Sequence, residues 1–484
     1  MINPKDDNML NSLDFLSSGQ PWPPPSEMER LKLYEKNRQL FEGKHNRRFM
    51  YLMSFLKKNQ KNILDIILNW HKRLSTLWAD LLFGEPPKFV TGDIDSDKQK
   101  ALAGYTGSNF LITAYESMLD RSCYGDALLK VRYNNKVILE GQNPSVWFPV
   151  VMPDNIKEIQ YHVLAWSYKK IENNKEQWYL KAEIHDKGSI TTKIYKLDSP
   201  NNDCKIGEFI EQDFINTGID DFLVIQISNL TTTARETGID DYSDLNPIIE
   251  EMENRIIQLG QIFNKHSSPS MYGSADAVDI DPVTNEVTYK SDKDYFPLEK
   301  DEQPPGYVTW DGSVDGCFKE LDFLKSELYA LSETCPTAFG ESKTGYAESG
   351  TSLRLRMYAP IAKTNRGKMY VDPALKKAIS LMSKLDSIHG GGIFIPEEEI
   401  TIHWQDGLPA DDKEMAEIMN IRLGGKPTIS QETAIRKMEN MGDADIQKEL
   451  ERIQMDDIQN NPLSSSVFSM GAQEQNVTDN NQPE

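Results

Sequence analysis

The chain has 484 residues, of which 38% are hydrophobic and 26% charged, and this composition is typical of a globular protein with several domains. Its formal net charge of −22 opposes non-specific binding to nucleic acid or anionic membranes, because such binding depends on Lys and Arg neutralising phosphates. A nucleic-acid partner would therefore meet a local basic element, or would not be held tightly.

The four cysteines lie far apart and form no Cys-x-x-Cys pair; they are Cys123, Cys204, Cys317 and Cys335. This spacing predicts free thiols rather than a disulfide framework or a zinc site. The first residues lack the apolar run of a secretory signal, and the apolar segments, such as 63–70, are too short to span a bilayer. We expect a protein made in the cytoplasm, with no membrane partner.

The first part of the chain is predicted to be helical. Residues 1–26 are polar and end in Trp22-Pro-Pro-Pro, which predicts an extended arm outside the core. Helical periodicity starts at Glu27 and is strongest over 62–82, where it ends at Gly84-Glu-Pro-Pro. A further helix is predicted near 108–121.

Short apolar runs separated by turn residues follow, from a strand at 127–132 to about 227. They predict an antiparallel meander inserted into a helical protein. Two amphipathic helices are then predicted at 245–265 and 318–332, on either side of an acidic, proline-rich module at 266–316. Their apolar stripes can be covered by the chain's own core or by neighbouring copies in a ring, and the pattern leaves both options open.

Cys335-Pro336 ends the second of these helices, and a loop with Gly340, Gly345 and Gly350 follows. We expect this loop to be mobile and solvated between two anchored helices. A basic helix is predicted at 349–385, where one acid, Asp372, stands against eight cations: Arg354, Arg356, Lys363, Arg366, Lys368, Lys376, Lys377 and Lys384. Pro360 and Pro373 are expected to kink or break that helix.

A strand is predicted at 400–404, and helices over 410–459 are split at Gly424-Gly-Lys-Pro. Thr428 and Gln431 fit a capping box for the later helix. The polar tail after residue 460 is expected to be disordered.

No motif in the sequence is positive evidence for an enzyme. Gly424-Gly-Lys-Pro lacks the spacing of a phosphate loop, and Gly340-Glu-Ser-Lys-Thr-Gly lacks that of a hydrolase elbow. The seven histidines are scattered singly, and the many carboxylates of 279–302 are typical of a solvated acidic face. We therefore predict no catalytic residues, no metal ligands and no cofactor.

Several motifs, in this order and spacing, are similar to one protein family. They are Leu81-Leu-Phe-Gly-Glu-Pro-Pro, Tyr124-Gly-Asp-Ala, Asn229 followed by Gly238-Ile-Asp-Asp-Tyr-Ser-Asp, Thr337-Ala-Phe-Gly with Ser349-Gly-Thr-Ser-Leu-Arg, Asp406-Gly-Leu-Pro, and Ile429-Ser-Gln-Glu-Thr-Ala. Over residues 27–458 the chain thus resembles the portal (connector) proteins of tailed bacteriophages, of the long-tailed type.

The resemblance implies an α+β portal fold with wing, helical stem, clip and helical crown, assembled as a ring, usually of twelve subunits, around a central channel. The implied segments are an N-terminal arm (1–26), wing (27–242 and 351–406), stem helices (243–265 and 317–336), clip (266–316), tunnel loop (337–350), crown (407–460) and disordered tail (461–484). The tunnel loop would line the narrowest part of the channel with Glu341, Ser342, Lys343, Thr344, Tyr346 and Glu348.

The function implied is passage of double-stranded DNA at one capsid vertex during packaging and ejection, within a virion assembled in the host bacterial cytoplasm. Implied partners are the terminase large subunit, a head-completion or adaptor protein, tail proteins, the scaffold and the major capsid protein. The clip would dock terminase and adaptor through Asp292, Asp294, Glu299, Asp301 and Glu302.

The electrostatics agree with passage rather than gripping, since an acidic wall repels the duplex and a few cations such as Lys343 make weak contacts. For the basic helix, the cations Arg354, Arg356, Lys363, Arg366 and Lys368 either face the channel or pair with acids of a neighbouring subunit, and we favour the pairing.

Two other functions stay open at this stage. One is a carboxylate-dependent metal hydrolase or nuclease, which would need a clustered metal site. The other is an acidic cellular scaffold protein that uses the module 266–316 as a docking surface.

Overall fold

The computed structural model describes residues 10–44, 66–92, 96–172, 175–199, 204–266, 271–272, 278–280, 282–284, 287–289, 306–307, 314–341, 350–405, 412–424, 427–439 and 443–460. The chain divides into two compact units, the first of residues 1–345 and 356–407, the second of residues 346–355 and 408–484.

The helices, in chain order, are α1 (Met28–Phe41), α2 (Trp70–Phe83), α3 (Asp97–Tyr105), α4 (Ser108–Tyr124), α5 (Asn246–His266), α6 (Asp315–Leu331), α7 (Gly350–Arg356), α8 (Tyr358–His389), α9 (Asp412–Leu423), α10 (Gln431–Glu439) and α11 (Asp443–Asn460). The strands are β1 (Pro21–Trp22), β2 (Lys88–Val90), β3 (Asp126–Asn134), β4 (Lys136–Gln142), β5 (Trp147–Met152), β6 (Asn155–Glu172), β7 (Lys175–Asp186), β8 (Ser189–Leu197), β9 (Cys204–Asn216), β10 (Val224–Ser228), β11 (Met271–Tyr272), β12 (Val278–Ile280), β13 (Val287–Tyr289), β14 (Gly306–Tyr307) and β15 (Thr401–His403). Helices and antiparallel sheets in one chain confirm the α+β class.

The predicted meander exists, but it is divided between two sheets. Strands β5 to β9 follow one another in a six-stranded antiparallel sheet of order β1-β9-β8-β7-β6-β5. Strands β3 and β4 belong to a second sheet, in which β10 returns after the meander and pairs with β3. Leu128, Trp147, Leu164 and Val224 of the two sheets pack together and are fully buried, so one core joins them.

The described part of the N-terminal arm, residues 10–26, contributes to the core, which corrects the prediction of an arm outside it. Strand β1 pairs with Cys204–Lys205 of β9, and Leu10, Leu16 and Trp22 are buried against the six-stranded sheet. Burying these three side chains stabilises the arm on the sheet, whereas the polar composition of residues 1–26 had suggested a solvated segment.

Helix α2 begins later than predicted. Asn69 precedes it, and its side-chain oxygen accepts a hydrogen bond from the backbone N–H of Lys72 at 3.1 Å, which is the geometry of a helix N-cap. Residues 66–69 are not helical, and the earlier part of the predicted helix lies outside the described residues.

Helix α8 lies at the centre of the main core, against α2, α3 and the three-stranded sheet. Of the two prolines predicted to kink or break the helix, only Pro360 lies next to an interruption. The basic segment is interrupted at Met357, three residues before Pro360, whose missing N–H would be unpaired in the first turn in any case. The helix continues through Pro373, because its neighbours Val371, Ala374 and Leu375 are buried in the core and hold both sides of the proline in place.

Helices α5 and α6 confirm the two amphipathic helices, and they pack on each other. Ile249 and Met252 of α5 and Leu328 of α6 are buried with Leu74 of α2. Away from this cluster, large apolar side chains are exposed, among them Phe263, Phe318, Phe323 and Leu331. The chain therefore covers part of each stripe itself. Between the helices, the described pairs β11–β14 and β12–β13 are short and antiparallel.

In the second unit, α9 and α10 confirm the predicted helix break between residues 423 and 431. The capping box was predicted two residues too early. The side-chain oxygen of Ser430, not Thr428, accepts from the backbone N–H of Thr433 at 3.2 Å. The backbone N–H of Thr428 instead bonds the carbonyl of Arg422 and ends α9.

Candidate functional site

The structure describes only part of the predicted site. Of the tunnel-loop candidates, Glu341 is described, whereas Ser342, Lys343, Thr344, Tyr346 and Glu348 lie outside the described residues. The clip candidates Asp292, Asp294, Glu299, Asp301 and Glu302 lie outside them as well. The basic-helix candidates are described, and so is the chain at both ends of the loop.

Where the chain enters the loop, a short helical turn at Pro336–Phe339 ends in Gly340, whose φ of 79° is the left-handed conformation that favours glycine. The next carboxylate, that of Glu341, accepts from the ammonium of Lys325 at 2.6 Å and from the hydroxyl of Tyr329 at 2.9 Å. Burial, together with this carboxylate, raises the pKa of Tyr329, so the phenol keeps the proton that it donates. Residues of α6 thus hold the start of the loop.

Phe339 gives this turn an aromatic anchor. Its ring stacks on Tyr329 at a centroid distance of 5.7 Å and meets the ring of Trp70 edge-on at 5.5 Å. The guanidinium of Arg73 also lies over the Phe339 ring, 5.6 Å from its centroid. Such aromatic and cation–π contacts add to the area that they bury, so the turn is fixed to both α2 and α6.

Cations of the basic helix form ion pairs with acids of the same chain. Lys363 donates to Asp241 at 2.8 Å and lies over the ring of Trp78 at 4.3 Å. Both partners are largely buried, with side-chain exposures of 14% and 9%. Burial alone would raise the pKa of Asp241, but the charge of Lys363, with hydrogen bonds from Ser122 and Asn229, holds it below its usual value. This is a structural ion pair.

Four other cations of α8 also bond groups of the same chain. Arg366 bonds Glu333, and Lys376 and Lys377 bond Asp372 and Asp221 at 2.7 and 2.9 Å. Lys368 donates to the backbone carbonyl of Gln405. From the sequence, these cations were predicted to face the channel or to pair with acids of a neighbouring subunit. The sequence analysis did not predict the pairs within the chain that the structure shows. Arg354 and Arg356 are exposed, and their predicted roles stay predictions.

The family motifs around Tyr124-Gly-Asp and Gly238-Ile-Asp-Asp meet at one junction. Gly125 has a φ of 88°, and a Cβ built on Gly238 would lie 1.9 Å from its carbonyl oxygen. Asp126 is fully buried beside them and accepts from the Gly238 N–H, Ser228 and Gln226 at 2.7 to 2.8 Å. The motifs were visible in the sequence, but their contact across more than a hundred residues was not.

A cavity of about 110 Å³ lies beside this junction and the end of α6, with Arg121, Asp241, Glu333, Lys363 and Arg366 in its wall. Arg121 is buried and donates to the carbonyls of Ser228 and Asn229 at 2.9 and 3.0 Å. Burial lowers its pKa to about 10, so the guanidinium stays charged at neutral pH. The wall contains charges of both signs, and they hold α8 against the segments before α5 and after α6.

Groups that would support reaction chemistry are not assembled among the described residues. No cluster of three or more His, Cys, Asp or Glu side chains there is arranged to hold a metal ion. The four cysteines are free thiols, as predicted. Within the same described ranges, no helix has the length and hydropathy needed to cross a membrane.

Comparisons with known proteins identify the family. Residues 25–463 match the family model described as phage portal protein, SPP1 Gp6-like. Among solved structures, the chain is similar to one in the virion of a native gene transfer agent particle, with 11% identity, a TM-score of 0.44, and coverage of 88% of this chain and 96% of that one. No curated protein matches by sequence. The match over most of its length shows that the chain belongs to the SPP1 Gp6-like family of phage portal proteins, which are components of bacteriophage virions.

Proposed function

We propose that copies of this chain form a ring at one capsid vertex and enclose a channel through which double-stranded DNA is packaged and ejected. The observation that carries the proposal is the family match over residues 25–463. The exposed apolar side chains of α5 and α6, such as Phe263 and Phe323, support it, because large exposed apolar groups favour contact with a further copy.

Within the ring, segment 337–350 is the tunnel loop. Its first residues are fixed by Phe339 and Glu341, so the loop has a firm base on α2 and α6. A net charge of −22 keeps a duplex from adhering to the wall, since each neutralised phosphate would add a barrier to translocation. The role proposed for the loop is a weak, renewable contact with moving DNA.

The module 266–316 is the clip, which docks the terminase large subunit during packaging and head-completion or adaptor proteins afterwards. Its position in the chain supports this. The module joins the C-terminal end of α5 to the N-terminal end of α6, and these two helices pack together. Scaffold and major capsid protein contact the outer parts of the ring. The family is structural, and we assign no catalytic role to the chain.

Negative-stain images of the purified chain test the assembly. Rings with a central hole support the proposal, whereas uniform monomers under all conditions contradict it. The number of subunits, which we expect to be twelve, is read from the rotational symmetry of the same images.

The loop is tested separately in phage whose only portal is the variant chain. Deleting residues 342–348 spares the Glu341 anchor, and should leave the rings intact but reduce the packaging or retention of DNA. A matched control replaces the same residues by a Gly/Ser segment of equal length, which separates loss of side chains from loss of length. Normal packaging and retention in both variants would remove the proposed role of the loop.

A further inference from the structure

The chain leaves α6 through a well-defined helix end that contains an unusual residue. The backbone N–H of Thr334 bonds the carbonyl of Tyr329 at 2.9 Å, and the N–H of Glu333 bonds that of Ala330 at 3.2 Å. These are the two hydrogen bonds of a Schellman motif, in which the residue at the position of Glu333 takes the left-handed conformation. Glu333 does so with a φ of 58°.

Glycine is the usual residue at that position, because a Cβ disfavours positive φ. A glutamate there has a local conformational cost, so a contact of its side chain should offset that cost. The Nη2 atom of Arg366 donates to both oxygens of the Glu333 carboxylate, at 2.7 and 2.9 Å. The side chain of Glu333 thus connects the end of α6 to α8.

This contact has a neighbour one turn away on the same helix. Lys363 binds Asp241, which lies five residues before α5, while Arg366 binds Glu333, which lies two residues after α6. The first pair is largely buried, whereas the second is 38% and 41% exposed. These two ion pairs, one buried and one partly exposed, connect α8 to the segment before α5 and to the segment after α6.

We propose that Glu333 is a positioning residue, which through Arg366 sets the direction in which the chain leaves α6 toward Pro336–Glu341. The inference rests on the proposed function only in that this segment begins the tunnel loop. The positioning itself does not depend on DNA. Glycine would adopt the same backbone conformation at position 333, but it has no carboxylate to bond Arg366.

The test uses amide hydrogen exchange and thermal unfolding of the purified full-length chain. Glu333→Gly keeps the left-handed conformation and removes the carboxylate, so its unfolding midpoint should equal or exceed that of the wild type. Exchange at amides 334–341 should nevertheless become about 5-fold faster, as expected for the loss of an exposed ion pair. Arg366→Met, which leaves the backbone of residue 333 unchanged, should give the same local acceleration.

Two further variants control the result. The charge swap E333R/R366E should restore slow exchange at 334–341. Arg38→Met removes an Arg–Glu contact of similar exposure on α1, where Arg38 bonds Glu35 at 2.8 Å, and it should leave exchange at 334–341 unchanged.

Unchanged exchange in both single variants would overturn the proposal. A lower unfolding midpoint in Glu333→Gly, with faster exchange throughout the chain, would also overturn it, since that result indicates a general structural role. If exchange changes as expected while packaged DNA is normal in phage with either single variant, the link to the tunnel loop is refuted. None of these outcomes affects the ring images, which test the proposed function separately.

Discussion

The ammonium of Lys363 lies 2.8 Å from the carboxylate of Asp241, and both side chains are largely buried. The pair joins the central helix α8 to the segment that enters α5. In a buried ion pair, the attraction between the two charges offsets the cost of removing them from water. Removing one partner leaves the other buried and unpaired.

Replacing Asp241 by Asn should therefore lower the free energy of unfolding by about 3 kcal/mol. The variant D241N/K363M should lose less than the sum of the two single changes, and chemical denaturation of all four proteins measures this coupling. The matched control is D97N, because Asp97 and Lys100 form an exposed pair on α3. That change should stay within about 0.5 kcal/mol of the wild type. Additive losses in the cycle would contradict the proposed pairing.

The glycine junction gives a second prediction. In Gly238→Ala the new Cβ would lie 1.9 Å from the carbonyl oxygen of Gly125, and the backbone carbonyl cannot move aside cheaply. We expect a loss of at least about 3 kcal/mol or failure to fold, measured by denaturation or by soluble yield. Gly104→Ala, inside α3 with no atom within 4 Å of the new Cβ, should be neutral or slightly stabilising. A stable Gly238→Ala variant would show that the backbone at Gly238 can move away from the backbone at Gly125.

Acidification should destabilise the junction between the two sheets. His162 is buried, and its Nδ1 accepts from the indole N–H of Trp147 at 3.1 Å. Burial, followed by the charges of His185 and Lys377, lowers its pKa to about 3. In the unfolded chain the pKa is about 6.5, so between pH 6.5 and pH 3 the unfolded state binds the additional proton.

The free energy of unfolding should thus fall as the pH decreases through that range, by at most about 1.4 kcal/mol per pH unit for this histidine. In His162→Asn, the amide oxygen can replace Nδ1 as the acceptor. The slope of the free energy of unfolding against pH should be smaller in this variant than in the wild type. Denaturation curves collected from pH 7 to pH 4 measure the difference. An equal slope in the variant would assign the effect to other groups.

The exposed face of α6 predicts an effect on assembly without an effect on folding. Phe323 is 60% exposed in the single chain, so Phe323→Ser should change the free energy of unfolding of the monomer by less than about 0.5 kcal/mol. If the face is covered in the ring, the same change should reduce the fraction of chain that elutes as rings in size-exclusion chromatography. The neighbouring exposed residue supplies the control, Asp322→Asn, which should assemble normally. Normal assembly of both variants would place the interface elsewhere.

The sequence by itself determined the type and approximate limits of the two amphipathic helices. The helix predicted at 245–265 is found at Asn246–His266, and the helix predicted at 318–332 is found at Asp315–Leu331. Both carry strong 3.6-residue periodicity, which is a local property that the chain retains in any context where one face is buried. The ordered motifs from Leu81 to Ala434 likewise identified the portal family, which the family match confirms.

Only the tertiary structure decided which parts of the chain meet. It placed Leu10 and Trp22 in the core, although their segment is polar on average, because a few apolar side chains suffice to hold an arm on a sheet. It also kept α8 helical through Pro373, since the packing of Val371 and Leu375 outweighs the missing hydrogen bond. The sequence could not identify Asp241 and Glu333 as the partners of the basic helix, because both lie far from it along the chain. Charge can be read from sequence, but the pairing of charges depends on distances that folding alone sets.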